Sequence, residues 1–141
     1  MAARESRPAP DAVWTHQRFF EHLGELSPLR IISIAGGSVF EALCDFGPFG
    51  IARGHMNAMT DAYHWHVDLA RFRHLRSRDT VHARSGRRVL FFELAEGPEA
   101  RPFLSIYLYR DKDAGFGDVR EKQFLEMHAA LEAGVALEEA A

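Results

Sequence analysis

Residues 54–69, GHMNAMTDAYHWHVDL, carry three histidines, His55, His64 and His66, and run directly into a basic segment. In an extended chain successive side chains point to opposite faces, so His64, His66 and Asp68 share one face while Trp65, Val67 and Leu69 share the other. The pattern predicts a half-buried strand with a polar side able to hold a ligand. His55 lies upstream beside Gly54 and Asn57, residue types that tolerate turn conformations, and this places it on a loop over a pocket mouth.

Outward from this stretch the apolar periodicity alternates. On the N-terminal side LRIISIA (29–35), a Gly36-Gly37 turn and SVFEALCDF (38–46) predict a hairpin, and 49–53 a third short strand. On the other side the basic run ARFRHLRSRDTVHARSGRR has apolar positions too sparse for a helix, and Ser85-Gly86 marks a turn. RVLFFELA (88–95) and FLSIYLYRD (103–111), joined by EGPEARP, predict a second hairpin. Asp11 reads as the N-cap of a helix closed by Gly24, with Val13, His16, Phe20 and Leu23 at helical spacing and Trp14 and Phe19 widening the stripe. Asp118 with Glu121 is a capping-box pattern opening a last helix, with Val119, Phe124, Met127 and Leu131 as its stripe and Gly134 at its end. The expectation is an α+β fold, an antiparallel sheet of about six strands flanked by N- and C-terminal helices. Residues 1–10 are expected to be a flexible lead, 11–134 one domain, and 135–141 a loose tail.

At 141 residues, 47% hydrophobic and 26% charged, the chain has the composition of an ordinary globular domain. The net charge of -3 gives no support for nucleic-acid affinity. The single cysteine, Cys44, can form no internal disulfide, which with the absence of an apolar leader in MAARESRPAP predicts a cytoplasmic protein without membrane insertion. Of the 17 basic residues two are lysine (Lys112, Lys122) and the other 15 arginine, and seven arginines fall between positions 71 and 88. Planar guanidinium forks suit carboxylates, so an anion site beside the histidines is a natural candidate, against the plain alternative of a solvated basic strand. No Gly-x-Ser-x-Gly elbow or glycine-rich phosphate loop is present, and the carboxylate expected a few places after a metal-binding His-x-His is Ala70 or Arg71 here. Hydrolytic and zinc or iron catalysis therefore find little support. His16, His22 and His128 read as helix-face residues.

Four stretches together, LSPLRIISIAGGSVFE, GPFGIARGHMN, AYHWHVDLARFRHL and FFELAEGPEARPFLSIYLYRDKD, resemble in order and spacing the haem iron-utilisation proteins of the ChuX/HutX type, relatives of the HemS-type haem carriers. The resemblance spans roughly residues 12–133 and implies a saddle-like antiparallel sheet, a homodimer, and haem in a cleft between sheet and helices. It further implies a ligand from the Gly-x-x-Asn loop, here His55 or Met56, and a second from the His-x-His strand, here His66 with His64 beside it. Many members have tyrosine where Met56 stands and arginine where Asp68 stands, so propionate pairing would move to Arg53, Arg71 or Arg73. The function implied is non-catalytic haem storage, carriage or delivery in iron acquisition, with a haem donor or acceptor protein as partner. The alternatives are a tetrapyrrole-modifying enzyme and a regulatory dimer that has lost haem binding.

Overall fold

The computed structural model describes residues 13–137. Among these residues two helices, α1 (His16–Gly24) and α2 (Asp118–Leu131), accompany nine strands: β1 (Leu29–Ala35), β2 (Ser38–Cys44), β3 (Phe49–Ala52), β4 (His55–Met59), β5 (His64–Asp68), β6 (His74–Val81), β7 (Arg88–Ala95), β8 (Leu104–Leu108) and β9 (Val135–Ala136). They form a six-stranded sheet in the order β2-β1-β8-β7-β6-β9 and a three-stranded sheet β3-β4-β5. All the pairings are antiparallel, and the fold is of the α+β class expected.

Three strands were not foreseen. β4 is hidden because a tight turn at Arg53 (φ 56) and Gly54 (φ 76) places His55 at the start of a strand and not in a loop. β6 alternates buried Leu75 and Ser77 with arginines, and its eight pairs with β7 supply the order that its sparse apolar residues do not announce. In β9, Val135 and Ala136 pair with Leu75 and His74, and Leu137 is buried, so this part of the expected loose tail is fixed. Residues 138–141 and Asp11 lie outside the described residues. The cap of α1 is Thr15, whose Oγ1 accepts from the Arg18 N–H at 3.1 Å, and Val13 and Trp14 precede the helix.

Both helices pack on one face of the large sheet, α1 through Phe19, Phe20 and Leu23 and α2 through Phe124, Met127 and Leu131, while Val13 and Val119 of the expected stripes are exposed. Phe92 of β7 touches Phe19 of α1 (ring centroids 5.2 Å) and Phe124 of α2 (5.1 Å), and Phe19 also meets Phe72. The apolar side of the small sheet, Met56, Ala58 and Val67, closes the same core. On the opposite face of the large sheet Phe91 stacks on Tyr107 at 4.4 Å, and Ile34, Val39 and Leu43 stay exposed. His16 and His22 are buried rather than on an open helix face, since His16 donates from Nε2 to the Phe72 carbonyl at 2.6 Å.

Arg88 at the start of β7 donates twice to Asp79 and once to Glu121, tying α2 to the sheet. Hydrogen bonds from this guanidinium hold the Asp79 carboxyl below its usual range. A depressed carboxyl contributes stability above its unfolded pKa and loses it as pH falls through the folded value. Arg88→Met should therefore lower stability by about 0.5–1 kcal/mol at neutral pH, the range of exposed pairs, with the difference vanishing in acid and in high salt. Urea melts at neutral pH and below the Asp79 pKa check it; equal losses at both would deny the link.

Candidate functional site

The geometry of the site follows from the register of β4 and β5. His55 faces Asp68, Asn57 faces His66, and Met59 faces His64. The Thr60 N–H donates to the Tyr63 carbonyl at one end of this hairpin, and the Leu69 N–H to the Gly54 carbonyl at the other. Antiparallel pairs alternate between hydrogen-bonded and non-hydrogen-bonded, so counting inward from either end makes all three facing pairs non-hydrogen-bonded, the kind whose side chains stand closest. Their side chains share one face, while Met56, Ala58 and Val67 point to the core.

Two of these imidazoles are held by their Nδ1 atoms. His66 donates from Nδ1 to Asn57 Oδ1 at 2.7 Å, and Asn57 is itself oriented by donating its amide to the His55 carbonyl at 3.3 Å. His55 donates from Nδ1 to the Arg53 carbonyl at 3.1 Å. In each ring Nδ1 is the donor, so the neutral tautomer these contacts select carries its lone pair on Nε2, and both residues are exposed. A second partner that fixes tautomer and ring angle is the usual support of a metal-ligating histidine. His64 makes no hydrogen bond among the described residues, and its ring centroid lies 6.3 Å from that of His66.

The outer edge of β5 borders a groove of about 210 Å3, lined by Trp65, His66, Asp68 and Arg71 on one side and Ser33 and Phe103 on the other. Arg71 reaches Asp68 only at 4.0 Å and Glu96 at 3.6 Å, both side chains being well exposed, so it remains open to an anion. The donors fit haem, since an imidazole nitrogen, an aromatic wall and a cation adjoin one another. The groove alone does not enclose the ring, being below the roughly 300 Å3 where small-molecule pockets begin.

Of the residues singled out in the sequence, His55, His64 and His66 share this face and Arg71 joins it. Met56 does not: it is fully buried on the core side, because alternation from an outward His55 turns it inward. The side chains of Arg53 and Arg73 do not line the groove; Arg53 serves through its carbonyl. Asn57 and Met59 escaped the sequence reading because their roles exist only once β4 pairs with β5. Among the described residues no group of three or more His, Cys, Asp or Glu side chains is placed to hold a metal ion. Ser77, His128 and Glu132 lie in series, with 2.6 Å from Ser77 Oγ to His128 Nδ1 and 3.9 Å from Nε2 to Glu132, but Ser77 is only 2% exposed. This is a clip between β6 and α2 and not a nucleophile. Burial pushes the Cys44 thiol up, which argues against a reactive thiolate.

No protein-family model matches the sequence, and no curated protein matches it. Solved structures do match in fold. A protein from Agrobacterium tumefaciens superposes with a TM-score of 0.69 at 14% identity, over 82% of this chain and 66% of that one. A protein from Erwinia carotovora gives 0.70 at 12% identity, over 82% and 71%. A structure of the heme-binding protein ChuX gives 0.69 at 13% identity, over 89% and 76%. The chain thus spans about two thirds to three quarters of the length of these structures and has the ChuX-type fold.

Proposed function

We propose that this chain, built on the fold of ChuX, binds haem at the β4–β5 face and stores or carries it in the cytoplasm during iron acquisition. The observation that carries the reading is His66, whose Nδ1 is committed to Asn57 and whose Nε2 is open beside an aromatic groove and Arg71. A heme-binding protein among the fold's neighbours supports the same ligand. Bound haem supplies an iron that accepts an imidazole nitrogen. His66 would be its donor, His55 on the same face of the adjacent strand would be the alternative donor, and Arg71 would pair with a propionate. Asn57 keeps the His66 lone pair outward, and Trp65 and Phe103 give the ring an apolar edge.

A homodimer belongs to this reading. Ile34, Val39, Phe40 and Leu43 are 47–66% exposed at the β1–β2 edge, apolar surface that a second copy would cover. The free Cys44 accords with a reducing compartment, and no helix among the described residues is long and apolar enough to cross a membrane.

The test is a haemin titration of the full chain followed by Soret absorbance. Saturation at one haem per chain or per dimer is expected, with the shifted band lost in His66→Ala. Asn57→Ala should weaken binding about tenfold, as loss of an orienting partner does. A titration that never saturates, or one that His66→Ala leaves unchanged, would sink the proposal.

A further inference from the structure

We infer that His64, His66 and Met59 form a binding site for a soft copper ion, copper(I), on the exposed face of the small sheet. Three observations converge. Met59 is directly opposite His64 in a non-hydrogen-bonded pair, which brings a thioether within side-chain reach of an imidazole. Met59 is 55% exposed, unlike the fully buried Met56 three places earlier, so its sulfur serves no core contact. His66, two residues from His64 on the same face, presents Nε2 with its tautomer already fixed by Asn57, and the two rings are 6.3 Å apart.

The donor set selects the ion. Two imidazoles and a thioether are soft to intermediate ligands, which favour copper(I) over zinc, calcium or magnesium. No thiolate joins them, and Asp68, the carboxylate on the same face of β5, lies at the far end of the hairpin opposite His55 and accepts from the Ala70 N–H at 3.0 Å. His64 carries no hydrogen bond among the described residues, so it can turn toward an ion shared with His66 without breaking one. The site goes beyond haem binding, with which it shares only His66. Haem ligation does not require Met59 or His64, and copper binding does not require Arg71 or Trp65, so each can fail alone.

The experiment is a competition between the full-length chain and the chromophoric copper(I) chelator bicinchoninate, under ascorbate and without oxygen. The expected result is removal of one copper(I) per chain. His64→Ala and Met59→Leu should each weaken it at least about tenfold, with unchanged circular dichroism because both side chains are exposed. His82→Ala, at the β6–β7 turn, should bind as the parent does. Zinc(II) binding should be indifferent to Met59→Leu, the readout that separates a sulfur ligand from a bystander. Copper(I) affinity unchanged by Met59→Leu, or abolished by Cys44→Ser while His64→Ala retains it, would overturn the assignment, as would failure to withdraw copper from the chelator.

Discussion

Arg120→Met is expected to destabilise the protein by about 2–4 kcal/mol, as loss of a half-buried, fully hydrogen-bonded guanidinium does when its carbonyl partners are left behind. The Arg120 guanidinium uses all five of its N–H donors on backbone carbonyls. Nε and Nη2 both donate to Leu26 O at 3.0 and 2.9 Å, Nη2 also to Pro28 O at 2.7 Å, and Nη1 to Tyr109 O at 3.0 Å and Phe116 O at 2.7 Å. One side chain on α2 thus satisfies the link between α1 and β1, the end of β8 and the approach to α2 itself. No acidic side chain pairs with it among the described residues, and burial pulls its pKa down, so the carbonyl dipoles alone hold the charge. Methionine fills a similar volume and leaves the Leu26, Tyr109 and Phe116 carbonyls without this donor, each costing about 1–3 kcal/mol where water cannot replace the bond, while the Pro28 carbonyl keeps the Tyr109 N–H at 3.2 Å. Partial solvent access keeps the total below that sum. Arg120→Lys should fall between the two, because an ammonium has three donors and no planar fork. Urea unfolding followed by circular dichroism measures both, and a methionine variant with the parent midpoint would mean that water already serves these carbonyls.

Phe92→Ala should cost about 3–5 kcal/mol, the usual loss for a buried aromatic truncated to a methyl. The ring is fully buried and is the contact between β7 and both helices, through Phe19 and Phe124. Its removal opens a cavity where α1, α2 and the sheet meet, and rigid neighbours on three sides limit collapse into it. Val119→Ala is the comparison, because Val119 is 69% exposed in the first turn of α2 and truncation there should stay within about 0.5 kcal/mol. Equal losses for the two would show that the core is not organised around β7. Against a total stability of roughly 5–15 kcal/mol, either Arg120→Met or Phe92→Ala removes a large share.

Much of the scaffold was legible in local pattern. The β1–β2 hairpin, β5, the β7–β8 pair and the start of α2 were each announced by alternation, a glycine turn or a short-range motif, although the capping box of Asp118 and Glu121 does not form: Gly117 is the N-cap and no side chain caps the helix. The polar face of β5 was legible too, since a period of two assigns His64 and His66 to one side. The failures share a cause. β4 was read as a loop because Gly54 and Asn57 are turn formers, yet Asn57 is the partner that orients His66 across the strand pair. The burial of His16 is not legible from its helical spacing, because its partner, the Phe72 carbonyl, is 56 positions away.

The sequence by itself determined the α+β class, the outward direction of the histidine pair and the resemblance to haem-utilisation proteins, because side-chain direction within a strand and the chemistry of turns are local properties. Only the tertiary structure decided which nitrogen of His66 is free, that His55 and not Met56 faces outward, that Met59 meets His64, and that Arg120 binds the backbone of two loops and a strand end. Each of these depends on which strand or loop lies alongside, and that is set by burying Phe19, Phe92 and Phe124 together across the whole chain. Register converts a string of histidines into a site, and register is a product of the core.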